Sequence, residues 1–137
     1  NFPQSQRKSY KTSPNTLTMK DKVILGLIEQ VTVHGSNGKE AEVLARVDTG
    51  ATSSSIDYVL AGELQLGPVI SSKVIKSASG IKKRPTIKVK ITLKETKIEE
   101  EFTLADRSHM TYRILLGQNI LKKGNFLIDP SKRVETK

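Results

Sequence analysis

The sequence predicts an all-β domain, closed or sandwiched, with one or two short helices. Three observations carry that expectation. Hydrophobic residues make up 36% of the 137 and aromatic ones 4%, with no Trp, so a core has to be built from Val, Ile and Leu, types that favour strands. Ile87, Val89, Ile91 and Leu93 alternate strictly with Thr86, Lys88, Lys90 and Thr92, the pattern of a half-buried strand with a solvated face. Short apolar runs are separated throughout by clusters of Gly, Ser, Asn and Pro. The length suits one domain, and no internal repeat is visible.

Taken in order, the chain opens with Arg7, Lys8, Lys11 and Lys20 set among polar filler around Pro3 and Pro14, and residues 1–21 are expected to be a basic N-terminal tail. The domain proper is placed at 22–131 and a C-terminal tail at 132–137. Its body starts with Val23-Ile24-Leu25-Gly26-Leu27-Ile28, continued by Val31 and Val33. The turn-rich cluster His34-Gly35-Ser36-Asn37-Gly38 then leads to a second apolar stretch at 40–47, so two antiparallel strands joined by a tight connection are expected. Asp57 is placed to cap a short helix over Tyr58-Val59-Leu60-Ala61, kept brief by Gly62 and Gly67-Pro68.

The strand pattern returns at Val74, and Ser77-Ala78-Ser79-Gly80 reads as a hairpin tip. Beyond the alternating strand lies another at 98–104. Ile114-Leu115-Leu116-Gly117 is apolar and expected to be buried, and residues 118–123 make a short helix stopped by Gly124. Phe126-Leu127-Ile128 is the last strand, ended by Asp129-Pro130.

Composition removes several kinds of chemistry. With no cysteine there is no disulfide, no thiol nucleophile and no cysteine-ligated zinc, although cytosolic and exported proteins can both lack cysteine, so no compartment follows. No apolar run approaches the roughly 20 residues that span a bilayer. No signal peptide is visible, and the chain begins with Asn1 rather than Met, which leaves upstream processing open. A net charge of +9, from 23 Lys and Arg against 14 Asp and Glu, favours acidic partners.

The segment that carries chemistry is Ala45-Arg46-Val47-Asp48-Thr49-Gly50-Ala51-Thr52-Ser53. An apolar strand delivers a carboxylate to its end, and a small glycine-containing turn exposes it, with the Thr49 hydroxyl suited to hold the turn. As a bare triplet, Asp-Thr-Gly is equally the corner of a hairpin. What changes that reading is Leu115-Leu116-Gly117, an apolar run ending in glycine that leads directly into a short helix.

Together these features resemble the retropepsin-like aspartic proteases. The resemblance implies a closed acid-protease barrel. It makes Asp48 the catalytic carboxylate, Thr49, Gly50 and Ala51 its supporting loop, Gly117 the mark of the strand that braces that loop, and Ser79-Gly80 the candidate flap tip. More narrowly, Glu101-Phe102-Thr103-Leu104-Ala105-Asp106-Arg107-Ser108, followed by the stretch from Met110 to Gly117, resembles a bacterial and archaeal group labelled ATP-dependent zinc proteases, over roughly residues 22–131.

The zinc and ATP in that label find no footing in the residues. There is no His-Glu-x-x-His helix, the two histidines His34 and His109 lie far apart, and no glycine-rich loop with Lys-Ser/Thr is present. Neither a metal ligand nor a cofactor is therefore expected. In viral retropepsins an Asp follows the Ala and an Arg follows the Gly, forming an ion pair; here those positions are Thr52 and Gln118, which leaves a neutral hydrogen bond or no contact.

A single Asp-Thr-Gly per chain implies a homodimer in which two Asp48 carboxylates activate a water for peptide hydrolysis. Residues 73–97 hold nine Lys or Arg against the single acid Glu95, which suggests acidic or glutamate-rich peptides as substrates or, equally, a solvated strand face. Asp106 and Arg107 are candidates for substrate recognition or for a turn-holding network. The alternative function is a non-catalytic binding module for an acidic partner. Single-stranded nucleic acid is disfavoured, because none of Phe2, Tyr10, Tyr58, Phe102, Tyr112 and Phe126 falls within the basic stretch.

Overall fold

The computed structural model describes residues 22–78 and 80–135; the basic tail at 1–21, Ser79 and residues 136–137 lie outside the described residues. Among the described residues nine strands and two α-helices follow one another: β1 (Ile24–Leu25), β2 (Ile28–His34), β3 (Glu40–Val47), β4 (Ser54–Asp57), α1 (Tyr58–Glu63), β5 (Val69–Ser77), β6 (Gly80–Leu93), β7 (Thr96–Ala105), β8 (Ile114–Leu116), α2 (Gln118–Lys123) and β9 (Leu127–Ile128).

The expected all-β barrel is present. Strands β2, β3, β8, β4, β7 and β6 pair in that order, and β6 returns to β2 through Val31↔Leu93 and Val33↔Ile91, which closes the ring. Two contacts in it, β3–β8 and β4–β7, are parallel and join segments far apart in sequence. The inward positions obey the two-residue alternation of a pleated strand: Ile87, Val89, Ile91 and Leu93 are all buried while Lys88 and Lys90 are exposed. Each such Ile or Leu contributes about 1.5–3 kcal/mol on burial.

The hairpin of β5 and β6 is longer than the barrel. Residues 80–85 of β6 pair only with β5, whereas residues 86–93 pair with β7. An arm with exposed Val74 and Ile81 therefore projects from the barrel wall. The expected turn at 77–80 is its tip, where Ser77 pairs with Gly80. Gly80 has φ +121°, a backbone angle that residues with a Cβ avoid.

Two details differ from the sequence reading. The apolar run at 23–33 is broken at Gly26-Leu27, and β1 leaves the barrel to pair in parallel with β9, so the last strand closes on the first rather than on the barrel wall. Helix α1 runs through Gly62 rather than stopping before it; as expected, the Asp57 carboxylate caps it, accepting the Leu60 N–H at 3.3 Å.

The break is held by Glu29, whose position in β2 shares a face with buried Val31 and Val33. Its carboxylate is fully buried and accepts the Gly26 N–H at 2.6 Å and Lys132 Nζ at 3.1 Å, with Lys94 Nζ at 3.3 Å from the other oxygen. Burial alone raises its pKa, but the Gly26 N–H and the two ammonium groups outweigh that and hold it below the usual carboxylate value. Lys132 and Glu135, placed by sequence in a C-terminal tail, thus take part in an ion-pair network with the barrel.

Candidate active site

Asp48 follows directly on β3 and is half-buried. Its N–H donates to the Leu116 carbonyl at 2.9 Å, continuing the parallel β3–β8 pairing by one residue. Its Oδ1 accepts the Gly50 N–H at 2.9 Å, and its carbonyl accepts the Ala51 N–H at 3.3 Å. The side chain thus caps its own turn, which fixes the carboxylate on a rigid support. Among the described residues nothing donates to Oδ2.

The loop is braced from behind by the residues that open α2. Gly117 is packed so closely that a Cβ there would lie 2.3 Å from the Ser53 carbonyl oxygen and 2.8 Å from that of Ala51. Only glycine fits without moving the loop. The Gly117 N–H donates to Ser54 Oγ at 2.9 Å, Ser54 Oγ donates to Asn119 Oδ1 at 2.6 Å, and Asn119 Nδ2 donates to the Glu101 carbonyl at 2.8 Å. Gln118 contributes twice: its N–H donates to the Ala51 carbonyl at 2.7 Å and its side-chain amide to the Thr49 carbonyl at 2.9 Å. A neutral hydrogen bond from Gln118 is thus made, to the backbone of Thr49 and not to the exposed Thr52.

Ser54 and Asn119 were not singled out from sequence. Ser54 is one of four consecutive Ser and Thr residues at 52–55, with nothing to rank it above its neighbours, and Asn119 lies on a segment whose only signal is helical. The usable signal was the strand period, which turns Ser54 toward the brace while its neighbours face the other way.

A second polar cluster lies at the far end of β4. Asp57 is fully buried and accepts the Arg107 N–H at 2.9 Å, the Leu60 N–H at 3.3 Å and Arg113 Nη2 at 3.0 Å. Burial pushes its pKa up, but these donors outweigh that and hold it below the ordinary value. The Arg107 side chain is also turned inward, donating from Nε to the Tyr112 carbonyl at 3.0 Å and from Nη1 to Ser55 Oγ at 3.3 Å. Asp106 is exposed, with its carboxylate held low by the hydroxyl and N–H of Ser108. The two candidates for substrate contact therefore point apart. Arg107 is tied to the β4 wall and Asp106 closes a surface turn.

The β5–β6 arm reaches back to the loop through Lys73, whose Nζ donates to Ser53 Oγ at 3.0 Å. Gly80 is at the tip of that arm, and Ser79 lies outside the described residues. Of the two histidines, His34 hydrogen-bonds Thr92 and faces Glu40, and among the described residues no three of His, Asp and Glu are grouped as metal ligands would be.

A closed barrel of short strands, with a carboxylate turn braced by a glycine-ended strand and a short helix, is the retropepsin architecture. The family model described as retropepsin-like aspartic endopeptidase RimB matches residues 60–137, more than half of the chain, and the chain belongs to this RimB-like family. The match does not confirm the label ATP-dependent zinc protease, and it begins after Asp48. No individually curated protein matches.

Solved structures share the fold. A Legionella pneumophila protein of unknown function superposes with a TM-score of 0.59 at 21% identity, covering 84% of this chain and 98% of that one. The EIAV protease complexed with the inhibitor HBY-793 gives 0.57 at 21%, covering 71% and 86%, and the simian foamy virus protease gives 0.50 at 19%, covering 68% and 89%. At these identities the likeness is one of fold.

Proposed function

We propose that the chain is an aspartic endopeptidase working as a twofold homodimer, with Asp48 of each copy supplying one of two paired carboxylates. The observation that carries this reading is the Asp48 turn: one carboxylate oxygen is fixed by the Gly50 N–H, the other has no donor among the described residues, and the turn is locked to β8 and α2. Such rigidity exceeds what a hairpin corner needs. Beside Asp48 lies an open depression of about 450 Å³ lined by Leu27, Arg46, Val47, Thr49, Ile128 and Pro130, which offers a seat of mixed polar and apolar character for the second copy.

In the proposed dimer the two carboxylates, about 3 Å apart, share one proton. The ionised one takes a proton from water as the water oxygen bonds to the peptide carbonyl carbon. The protonated one hydrogen-bonds to the developing oxyanion. When the C–N bond breaks, the leaving nitrogen receives a proton from the pair, and the carboxylates return to their shared state. Acidic peptides are the favoured substrates because the arm beside this site carries most of the nine cations of residues 73–97.

The test is digestion of an acid-biased peptide library, read by mass spectrometry from about pH 4 to pH 7, with Asp48→Asn in parallel. Cleavage by the native protein that vanishes in the variant is the expected result. Absence of cleavage in a protein shown to be dimeric refutes the enzyme and leaves a binding module of the same fold.

A further inference from the structure

The depression beside Asp48 has two flanks that come from opposite ends of the domain. Leu27, at the break between β1 and β2, forms one, and Ile128 and Pro130, at the end of β9, form the other. Backbone bonds pin each of them. The Leu27 carbonyl accepts the Val47 N–H at 2.8 Å, and the Asp129 N–H donates to the Leu25 carbonyl at 2.8 Å.

Beyond Pro130 the chain turns back over the first flank. The Asp129 carboxylate accepts the Ser131 N–H at 3.0 Å, and the Lys132 N–H returns to the Asp129 carbonyl at 3.1 Å. A Cβ on Gly26 would lie 2.5 Å from the Lys132 carbonyl oxygen, so the returning segment rests directly on the backbone that precedes Leu27.

One side chain spans both flanks. Glu29 Oε2 accepts the Gly26 N–H at 2.6 Å and Lys132 Nζ at 3.1 Å, so a single oxygen ties the break before Leu27 to the segment after Pro130. Its other oxygen accepts no hydrogen bond among the described residues and has Lys94 Nζ at 3.3 Å. Stability alone does not account for a carboxylate here. Glu29 shares a face with Val31 and Val33, and well-packed apolar residues often replace a buried ion pair without loss. What an apolar side chain cannot do is fix the distance between an N–H on one flank and an ammonium on the other. Lys94 approaches from elsewhere, the turn between β6 and β7, and meets the returning segment at its far end through Glu135 at 3.6 Å.

We propose that Glu29 is a positioning residue for the paired site: through Lys132 it sets the spacing of the two flanks on which the second copy docks, and so brings the Asp48 of that copy into register. This rests on the dimeric endopeptidase reading and deepens it. Both copies must present seated flanks, so the apparent dimer Kd rises with the square of any loss in the seated fraction.

The experiment sets Lys132→Met against Lys94→Met. Each removes one ammonium from Glu29 and keeps an apolar stem, but Lys132 follows directly on the flank and Lys94 does not. Sedimentation velocity over a dilution series gives the dimer Kd, thermal melts give the stability of the same proteins, and peptide cleavage is followed at several protein concentrations. Lys132→Met is expected to raise the dimer Kd about tenfold, which a roughly threefold loss of seated flank in each copy produces. Its kcat per dimer stays native, and its activity returns as the protein concentration rises. Lys94→Met is expected to lower the melt to a similar degree yet keep the dimer Kd within about twofold of native. An equal rise in both variants would show general loosening of the barrel and overturn the positioning role. So would an unchanged Kd in Lys132→Met, or a native protein that is monomeric throughout the series. If none of the three proteins cleaves a peptide while the split in Kd is seen, the endopeptidase reading fails and the positioning of the second copy stands.

Discussion

Replacing Asp57 with Asn keeps the size of the side chain but removes the charge and one acceptor. In the native protein the two oxygens meet three donors, from Arg107, Leu60 and Arg113. An amide brings its own NH2, so whichever way it turns, at least one of these donors faces another donor. The milder orientation points the NH2 at Arg113 and Leu60, because the Arg113 side chain is 38% exposed and can turn to water. That orientation sacrifices the α1 cap, about 1 kcal/mol, and a charge-assisted bond weakened by exposure, about another 1–2 kcal/mol. A total near 2–3 kcal/mol at neutral pH is expected from urea unfolding.

The pH dependence is a stricter check. The folded-state pKa of Asp57 lies below its unfolded value, so its contribution is present above the unfolded value of about 3.9 and is lost as pH falls through the folded one. The gap between native and Asp57→Asn proteins should therefore be constant from neutral pH to about pH 5 and shrink below about pH 4. A variant within about 0.5 kcal/mol of native at pH 7, or a gap unchanged on acidification, would refute this role for the Asp57 carboxylate.

Gly117→Ala should lower stability by about 2–3 kcal/mol, because the new methyl meets backbone oxygens rather than a movable side chain; a thermal melt measures it. Glu29→Gln should cost about 3 kcal/mol by leaving Lys94 and Lys132 beside a neutral amide, and should speed limited proteolysis in the segment 129–135. The carboxyl of Glu29 is also held low, so this deficit too should narrow as the pH is taken down through its folded-state pKa.

The elements most legible in the sequence were those whose cause is local. The alternation at 86–93, the Asp57 cap and the Gly124 stop each depend on a few neighbouring residues, and each is present. Barrel closure through β2 and β6 and the parallel β3–β8 and β4–β7 contacts depend on residues far apart, and nothing in a local pattern announces them. The inward turn of Glu29 is legible by the same local rule, because it shares a two-residue period with Val31 and Val33. Of the candidate site, the Asp48 turn and its Gly117 brace were readable together, since both rest on small residues at tight positions.

The pairing of β1 with β9 has a consequence for the order of events on the ribosome. Among the described residues β1 pairs with nothing but β9, so the start of the domain stays uncommitted until residues 127 and 128 have emerged. Leu27 and Ile128, which flank the Asp48 turn, come together at that same moment. A nascent chain lacking its last strand therefore has the carboxylate turn without the wall beside it. If the second copy docks on that wall, as proposed, the dimer can form only once residues 127 and 128 are in place.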